Sequence, residues 1–114
     1  MIAYEIPGMR FSLPAGDAVA RRRLVAVNAA GNGIPATATT AVVGASMNEV
    51  KADQVLEVAD GIVMVEASGA ITAGVAVYAD ADGRVTATAN EDGGKVGVAL
   101  TAATNAGDVI TIKM

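Results

Sequence analysis

The chain has 114 residues, a formal net charge of −4, and neither histidine nor cysteine. One domain is expected at this length. The missing imidazoles and thiols exclude disulfides, zinc sites built from the usual ligands, and mechanisms that need a histidine base or a cysteine nucleophile. The acidic balance also argues against a nucleic-acid-binding protein, which is normally basic.

The hydrophobic residues make up 53% of the chain, but most of them are small. Alanine occurs 25 times and valine 16 times, against four leucines, one phenylalanine and no tryptophan. Because alanine offers little apolar surface to bury, an isolated monomer is expected to be only marginally stable. We therefore expect the protein to associate with itself or to dock on a larger body.

No membrane association is expected from the hydropathy pattern. The longest uncharged stretch, residues 24–48, is interrupted by Asn28, Gly31 and Pro35 and is typical of a strand, a polar loop and a second strand. The first 20 residues contain Glu5, Arg10 and two prolines, so they lack the apolar run of a signal peptide.

Residues 1–23, called the leader below, differ from the rest of the chain. The leader carries a net charge of +2, whereas residues 24–114 carry −6. Its bulky apolar groups and its prolines predict a basic, partly extended N-terminal arm that docks on a larger body or on a neighbouring subunit. The alternative is that the leader forms the first strand of its own domain. The candidate partner-binding residues are Tyr4, Ile6, Met9, Arg10, Phe11, Leu13, Arg21, Arg22 and Arg23.

Residues 24–114 show short alternating apolar segments separated by turn residues, the pattern of a single β-rich domain. Gly-rich or Asp-rich turns are predicted at 31–33, 60–61, 80–83 and 90–94, and one short helical turn within 46–54. Strands are predicted at 24–28, 40–45, 54–59, 61–66, 74–79, 84–88, 95–101 and 108–113. About eight short strands predict an all-β fold, a small barrel or sandwich.

Three segments recur within the chain and suggest two quasi-repeated halves. Residues 13–19 match 71–77 at an offset of 58, residues 43–46 match 96–99 at 53, and residues 52–58 match 106–112 at 54. Chance similarity in a chain rich in Ala, Val and Gly is the competing explanation.

Two motifs resemble ligand sites but lack the residues that the chemistry needs. Residues 31–36 fit the pattern G-x-G-x-x-A, yet Pro35 and the threonines after it do not predict the helix that a dinucleotide site requires. Residues 80–83 resemble part of a calcium loop, but Tyr78 and Ala89 occupy the first and last ligand positions. No cofactor or metal is expected, and a hairpin turn is the favoured reading of residues 80–83.

The order and spacing of several short motifs resemble the tailed-phage capsid decoration (cement) proteins. The resemblance covers residues 13–114. Its motifs are Gly61–Val65, Ile71–Asp80, Gly83–Thr86, Lys95–Leu100, Ala106-Gly107 and Val109–Ile112, with Gly16–Val19 and Val43-Gly44 fitting the first half. The chain departs from the family pattern at Val75-Ala76 and in a long insertion from Asn28 to Thr40.

This resemblance implies a β-tulip-like fold and a structural, non-enzymatic role. The expected protein is a homotrimer on the outer face of a phage head in the virion. It would bind the major capsid protein and bridge capsid subunits, without contacting nucleic acid or a membrane. The first alternative is a lipoyl- or biotinyl-like carrier or binding β-module. Such a module needs a lysine at an exposed hairpin tip, whereas Lys95 begins a predicted strand and Lys113 follows the last predicted turn at the end of a strand. The second alternative is another virion component, such as a tail or spike module.

Overall fold

Nine β-strands form one curled antiparallel sheet in the computed structural model, which describes residues 3–89 and 94–114. The strands are β1 (Ile6–Pro14), β2 (Leu24–Val27), β3 (Gly33–Pro35), β4 (Gly44–Ser46), β5 (Val55–Glu66), β6 (Ala76–Ala79), β7 (Val85–Thr86), β8 (Gly97–Ala99) and β9 (Val109–Lys113). They run in the order β3-β2-β4-β5-β9-β8-β6-β7, and β1 pairs with β5 outside this path. The all-β prediction is confirmed.

The predicted turn at Asp60-Gly61 is wrong, because β5 runs straight through it. Gly61 has a φ of +97°, and two residues of β1, Gly8 and Met9, lie opposite Asp60. The Met9 N–H donates to Asp60 Oδ1 at 2.9 Å. The Asp-Gly pair that predicted a turn instead lies opposite a β-bulge, a place where one strand carries an extra residue, and the positive φ of Gly61 accommodates it.

The leader contains β1, the first strand of the sheet. Its prolines predicted a partly extended arm, yet residues 6–14 form β1 and pair along β5 from Ile62 to Val55. Because β1 pairs with β5 on one side only among the described residues, the prolines occupy an edge strand, where a missing N–H is tolerated. This arrangement corresponds to the second of the two alternatives given for the leader.

Two other local predictions also differ from the structure. Residues 46–54 do not form a helical turn, because Val50 makes a two-way backbone bridge to Val19. Most of the strand predicted at 40–45 is irregular, with β4 at its end.

The turn predicted at 80–83 is confirmed as a single 3₁₀ turn, with Asp82 and Gly83 at positive φ. Residues 90–93 of the predicted turn at 90–94 lie outside the described residues.

The same pairing pattern occurs twice in the sheet. The pairs β1·β5, β2·β3, β2·β4 and β4·β5 of residues 6–59 are matched by β5·β9, β6·β7, β6·β8 and β8·β9 of residues 60–114. Below, these two ranges are called the first half and the second half. Strand β5 ends the first half and begins the second.

Isolated bridges give the correspondence between the two halves residue by residue. The parallel bridge Ala15–Gly33 has its counterpart in Ala67–Val85, 52 residues later. Residues 43–46 and 52–58 correspond to 96–99 and 106–112 at the offsets of 53 and 54 seen in the sequence. The offset of 58 for residues 13–19 does not occur in the pairing.

Each half surrounds its own apolar cluster. The cluster of the first half contains Val19, Val25, Val50, Leu56 and Val58, and their counterparts in the second half are Ile71, Val77, Ala103, Ile110 and Ile112. The second cluster is larger because it also includes residues from the opposite face of the first-half sheet, namely Leu24, Ala26, Ala45 and Ala59. The second half therefore packs its interior against the back of the first half.

Candidate functional site

The edge strand β1 and the residues just before it carry most of the exposed bulky apolar surface. Ile6 and Met9 are each 62% exposed and Tyr4 is 40% exposed. The only other large apolar side chains exposed among the described residues are Val27 and Val55. A cluster of exposed apolar groups on an unpaired strand edge is typical of a contact surface.

The bulge positions the centre of this surface. Opposite Asp60, β1 carries the extra residue, so Met9 leaves the regular alternation and its side chain is exposed. The carboxylate of Asp60 accepts the Met9 N–H, which fixes the backbone there. Arg10, the next residue, is exposed and makes no ion pair within the described part of the chain.

Residues 3–5 are tied to the chain's own last strand. The Tyr4 N–H donates to Thr111 Oγ1 at 2.6 Å, and the Thr111 hydroxyl donates to the Tyr4 carbonyl oxygen at 2.7 Å. Thr111 is completely buried. One hydroxyl thus satisfies both backbone groups of Tyr4 and holds its ring at the surface.

The remaining predicted residues of β1 face inward. Phe11 and Leu13 are half-buried and pack against the apolar cluster of the first half. Their Cα partners on β5 are Val58 and Leu56. These two side chains therefore contribute to the chain's own core as well as to any surface beside it.

The three consecutive arginines have different surroundings. Arg21 is exposed, and Arg22 and Arg23 are half-buried. Arg23 pairs with Glu66 at 3.0 Å and donates to the backbone carbonyl of Asp82 at 3.2 Å. Glu66 also pairs with Arg84 at 2.5 Å. Arg23 therefore joins the two halves of the chain, and Arg21 presents its charge to solvent.

Sequence reasoning missed this ion-pair cluster, because Glu66 and Arg84 lie more than 40 residues from Arg23. The backbone adds a further link, since the Glu66 N–H donates to the Arg22 carbonyl oxygen at 2.9 Å. No sequence motif predicts this pairing, because the folding of the sheet brings Arg23, Glu66 and Arg84 together.

The other candidate motifs take part in folding. Residues 33–35 of the G-x-G-x-x-A motif form strand β3, so no helix begins there. Asp80 accepts hydrogen bonds from the Ala81 N–H and from Ser68 Oγ, which fix the turn before β7. Lys113 lies in β9, paired to Ile62 on one side and Val98 on the other, and not at the tip of a hairpin. Lys95 is exposed two residues before β8.

Residues 3–89 and 94–114 contain no group of three or more Asp or Glu residues placed to hold a metal ion together. The helical content of this part of the chain is limited to one short 3₁₀ turn, and no helix there is long and apolar enough to span a membrane.

Comparison with known proteins places the chain in a family. The profile of the phage cement proteins matches residues 6–114, nearly the whole sequence, and the chain belongs to this family. It is therefore a structural protein associated with the phage head, as the motif resemblance implied. A search of the curated proteins gave no match.

The fold also resembles that of a solved phage structure. The N base of the head fiber gp8.5 of bacteriophage phi29 superposes with a TM-score of 0.78 at 20% sequence identity. The match covers 93% of this chain and 92% of that chain. The similarity supports the small all-β fold described above.

Proposed function

We propose that this protein binds the outer surface of a phage head and stabilises it by bridging neighbouring capsid subunits, acting as a homotrimer. The observation that carries the proposal is the match to the phage cement family from the first residue of β1 to the end of β9. The surface available for such binding is the exposed apolar edge of β1.

The mechanism requires contact free energy and no covalent chemistry. A subunit that touches two capsid subunits at once adds its binding free energy to the work needed to separate them. Burying the exposed portions of Ile6 and Met9 against the head contributes about 1 to 2 kcal/mol for each side chain. Each contact alone contributes little binding free energy, but the contributions of many copies on one shell together stabilise it.

We assign the docking contacts to Tyr4, Ile6, Met9, Arg10 and Arg21. The first three provide apolar area, and the two exposed arginines attract acidic groups on the partner. Phe11, Leu13, Arg22 and Arg23 support this surface from inside the domain, through the core contacts and the ion pair described above.

The direct test is to mix the purified protein with undecorated phage heads and to locate the added density by cryo-electron microscopy. Density on the outer face that contacts more than one capsid subunit is the expected result. Density confined to a single capsid subunit would remove the bridging mechanism. Binding to tails and not to heads would show that the protein is a different virion component.

Point variants test the surface. Ile6→Asp and Met9→Asp should each reduce head binding at least tenfold, because an aspartate introduced into an apolar contact must be desolvated. Val55→Asp is the matched control, since Val55 is 60% exposed but lies at the opposite end of the β1·β5 pair. Equal head binding by all three variants would place the contact elsewhere.

A further inference from the structure

Equivalent positions in the two halves differ sharply in burial on the outer face of the sheet. Leu24, Ala26, Ala45 and Ala59 of the first half are at most 1% exposed, because the interior of the second half covers them. Their second-half counterparts are Ala76, Tyr78, Val98 and Lys113, called the acceptor face below. The first three of these are half-buried and Lys113 is exposed. Nothing in the described chain covers the acceptor face as the second half covers the first.

On the interior face of the sheet the difference in burial is reversed, because the second half is the more deeply buried of the two. Val63 and Val65 of the second half are fully buried and Ala79 is 4% exposed. Their first-half counterparts Phe11 and Leu13 are half-buried and Val27 is 41% exposed. Phe11, Leu13, Val27 and the half-buried Val43 are called the open core edge below. Within one chain, the interior of the second half therefore packs against the back face of the first half. The open core edge of the first half and the acceptor face of the second half have no such partner among the described residues.

A loop at this internal contact shows the same contrast. In the second half the Gly83 N–H donates to the Ala36 carbonyl oxygen at 2.8 Å, and an added Cβ would lie 3.0 Å from Arg23 Cβ. The counterpart of Gly83 is Gly31, which also has a positive φ, of +85°. An added Cβ at Gly31 would meet no atom within 4 Å. The first-half loop thus has the same backbone conformation at Gly31 as the packed second-half loop has at Gly83, but no other part of the described chain packs against Gly31.

We infer that a second copy of this chain supplies the missing surface, and that the contact between copies repeats the contact between the two halves. The acceptor face of one copy covers the open core edge of the next, so Tyr78 and Val98 lie on Phe11, Leu13 and Val27. By the same correspondence, the loop of residues 28–32 of the second copy lies against Val75 and Thr88 of the first. The inference deepens the proposed function by naming the interface of its self-association.

The geometry of this contact is head-to-tail, because it joins two different surfaces. Head-to-tail contacts close into rings when the rotation between copies permits, and a ring of three copies would contain six quasi-equivalent halves. The polar part of the internal contact is not repeated, since Pro14 stands where Glu66 does and Val75 where Arg23 does. The interface between copies is therefore held mainly by apolar burial and should be insensitive to salt.

Site-specific cross-linking tests the contact directly, because the natural chain has no cysteine. Ala30 and Thr88 are both exposed, and they correspond to Asp82 and Ala36 at the internal contact. Ala30→Cys and Thr88→Cys are prepared as separate single variants and treated with a short bismaleimide, alone and after mixing under conditions that allow subunits to exchange. Covalent dimers should form in the mixture and not in either variant alone. Replacing Thr88→Cys by the exposed control Ala52→Cys should abolish them.

Two results would overturn the inference. Dimers in a single variant alone would indicate a symmetric contact that pairs identical surfaces. An oligomer in light scattering without cross-links in the mixture would place the interface elsewhere.

Point variants provide an independent check. Tyr78→Glu should give a folded monomer, whereas Ala52→Glu should leave the oligomer intact. An intact Tyr78→Glu oligomer would contradict the inference. Binding of the wild-type protein to heads is measured separately, so failure of this contact leaves the proposed function standing.

Discussion

At the residue scale, the two halves repeat backbone conformations even where the residue type differs. Three pairs of equivalent positions adopt positive φ in both halves. These pairs are Arg22 and Gly74, Gly31 and Gly83, and Asp53 and Gly107. The turn geometry is therefore preserved in the two pairs that differ in residue type, and a non-glycine residue in this region carries backbone strain.

Gly107 allows the free-energy cost of a positive φ at a non-glycine residue to be measured without a steric contribution. Its φ is +93°, and an added Cβ would meet no atom within 4 Å, so Gly107→Ala changes only the backbone preference. We expect a loss of about 1 kcal/mol in the free energy of unfolding, measured by urea denaturation. Gly69→Ala is the matched control, because its added Cβ also meets nothing and its φ is not positive. Equal stability of the two variants would show that the turn adapts to alanine.

Asp108 gives the second prediction at this scale. The N–H groups of Asn105 and Thr104 donate to its carboxylate and lower its pKa below the ordinary aspartate value. Because the folded-state pKa is depressed, this stabilisation is present above the unfolded pKa and is lost as the pH falls through the folded pKa. Asp108→Asn should therefore have a lower melting temperature than wild type at neutral pH. The difference should shrink below about pH 4. A difference that stays constant down to strongly acidic pH would contradict the assignment.

At the element scale, β1 shows what the sequence pattern predicts and where it fails. In the sequence Phe11 and Leu13 alternate with the polar residues Arg10 and Ser12, but the prolines of the leader predicted an extended arm. Such residues are tolerated because β5 provides a long partner and the bulge absorbs the irregularity. Both conditions depend on residues about 50 positions away, so local propensity does not reveal them.

The link between residues 3–5 and β9 predicts the effect of removing one hydroxyl. Thr111→Val deletes the group that bonds both the N–H and the C=O of Tyr4. We expect a loss of about 1 to 3 kcal/mol in the free energy of unfolding and faster hydrogen exchange at the Tyr4 amide. Thr111→Ser keeps the hydroxyl and should preserve slow exchange. Unchanged exchange in the valine variant would show that other contacts hold this segment.

At the scale of the whole molecule, the fold class followed from residues that recur with a short period. Alternating Val and Thr separated by Gly and Asp turns predicted an all-β domain, and the offsets of 53 and 54 matched the later strands. The ion pairs of Glu66 with Arg23 and Arg84 had no sequence signal. The bulky apolar residues of the leader predicted a contact surface, but the division of these side chains into inward-facing and outward-facing groups depends on the pairing of β1 with β5.

The last prediction concerns how stability depends on association. A core built mainly from alanine and valine buries little surface for each residue, and the open core edge and acceptor face remain partly exposed in one chain. If a second copy covers them, the melting temperature must rise with protein concentration by mass action. We expect this rise for wild type between nanomolar and micromolar protein, together with a trimer mass in light scattering. Val98→Asp should abolish the concentration dependence and melt at the temperature of the dilute wild type, because its charge lies in the acceptor face. A wild-type monomer with a high melting temperature at every concentration would refute the link between the small core and association.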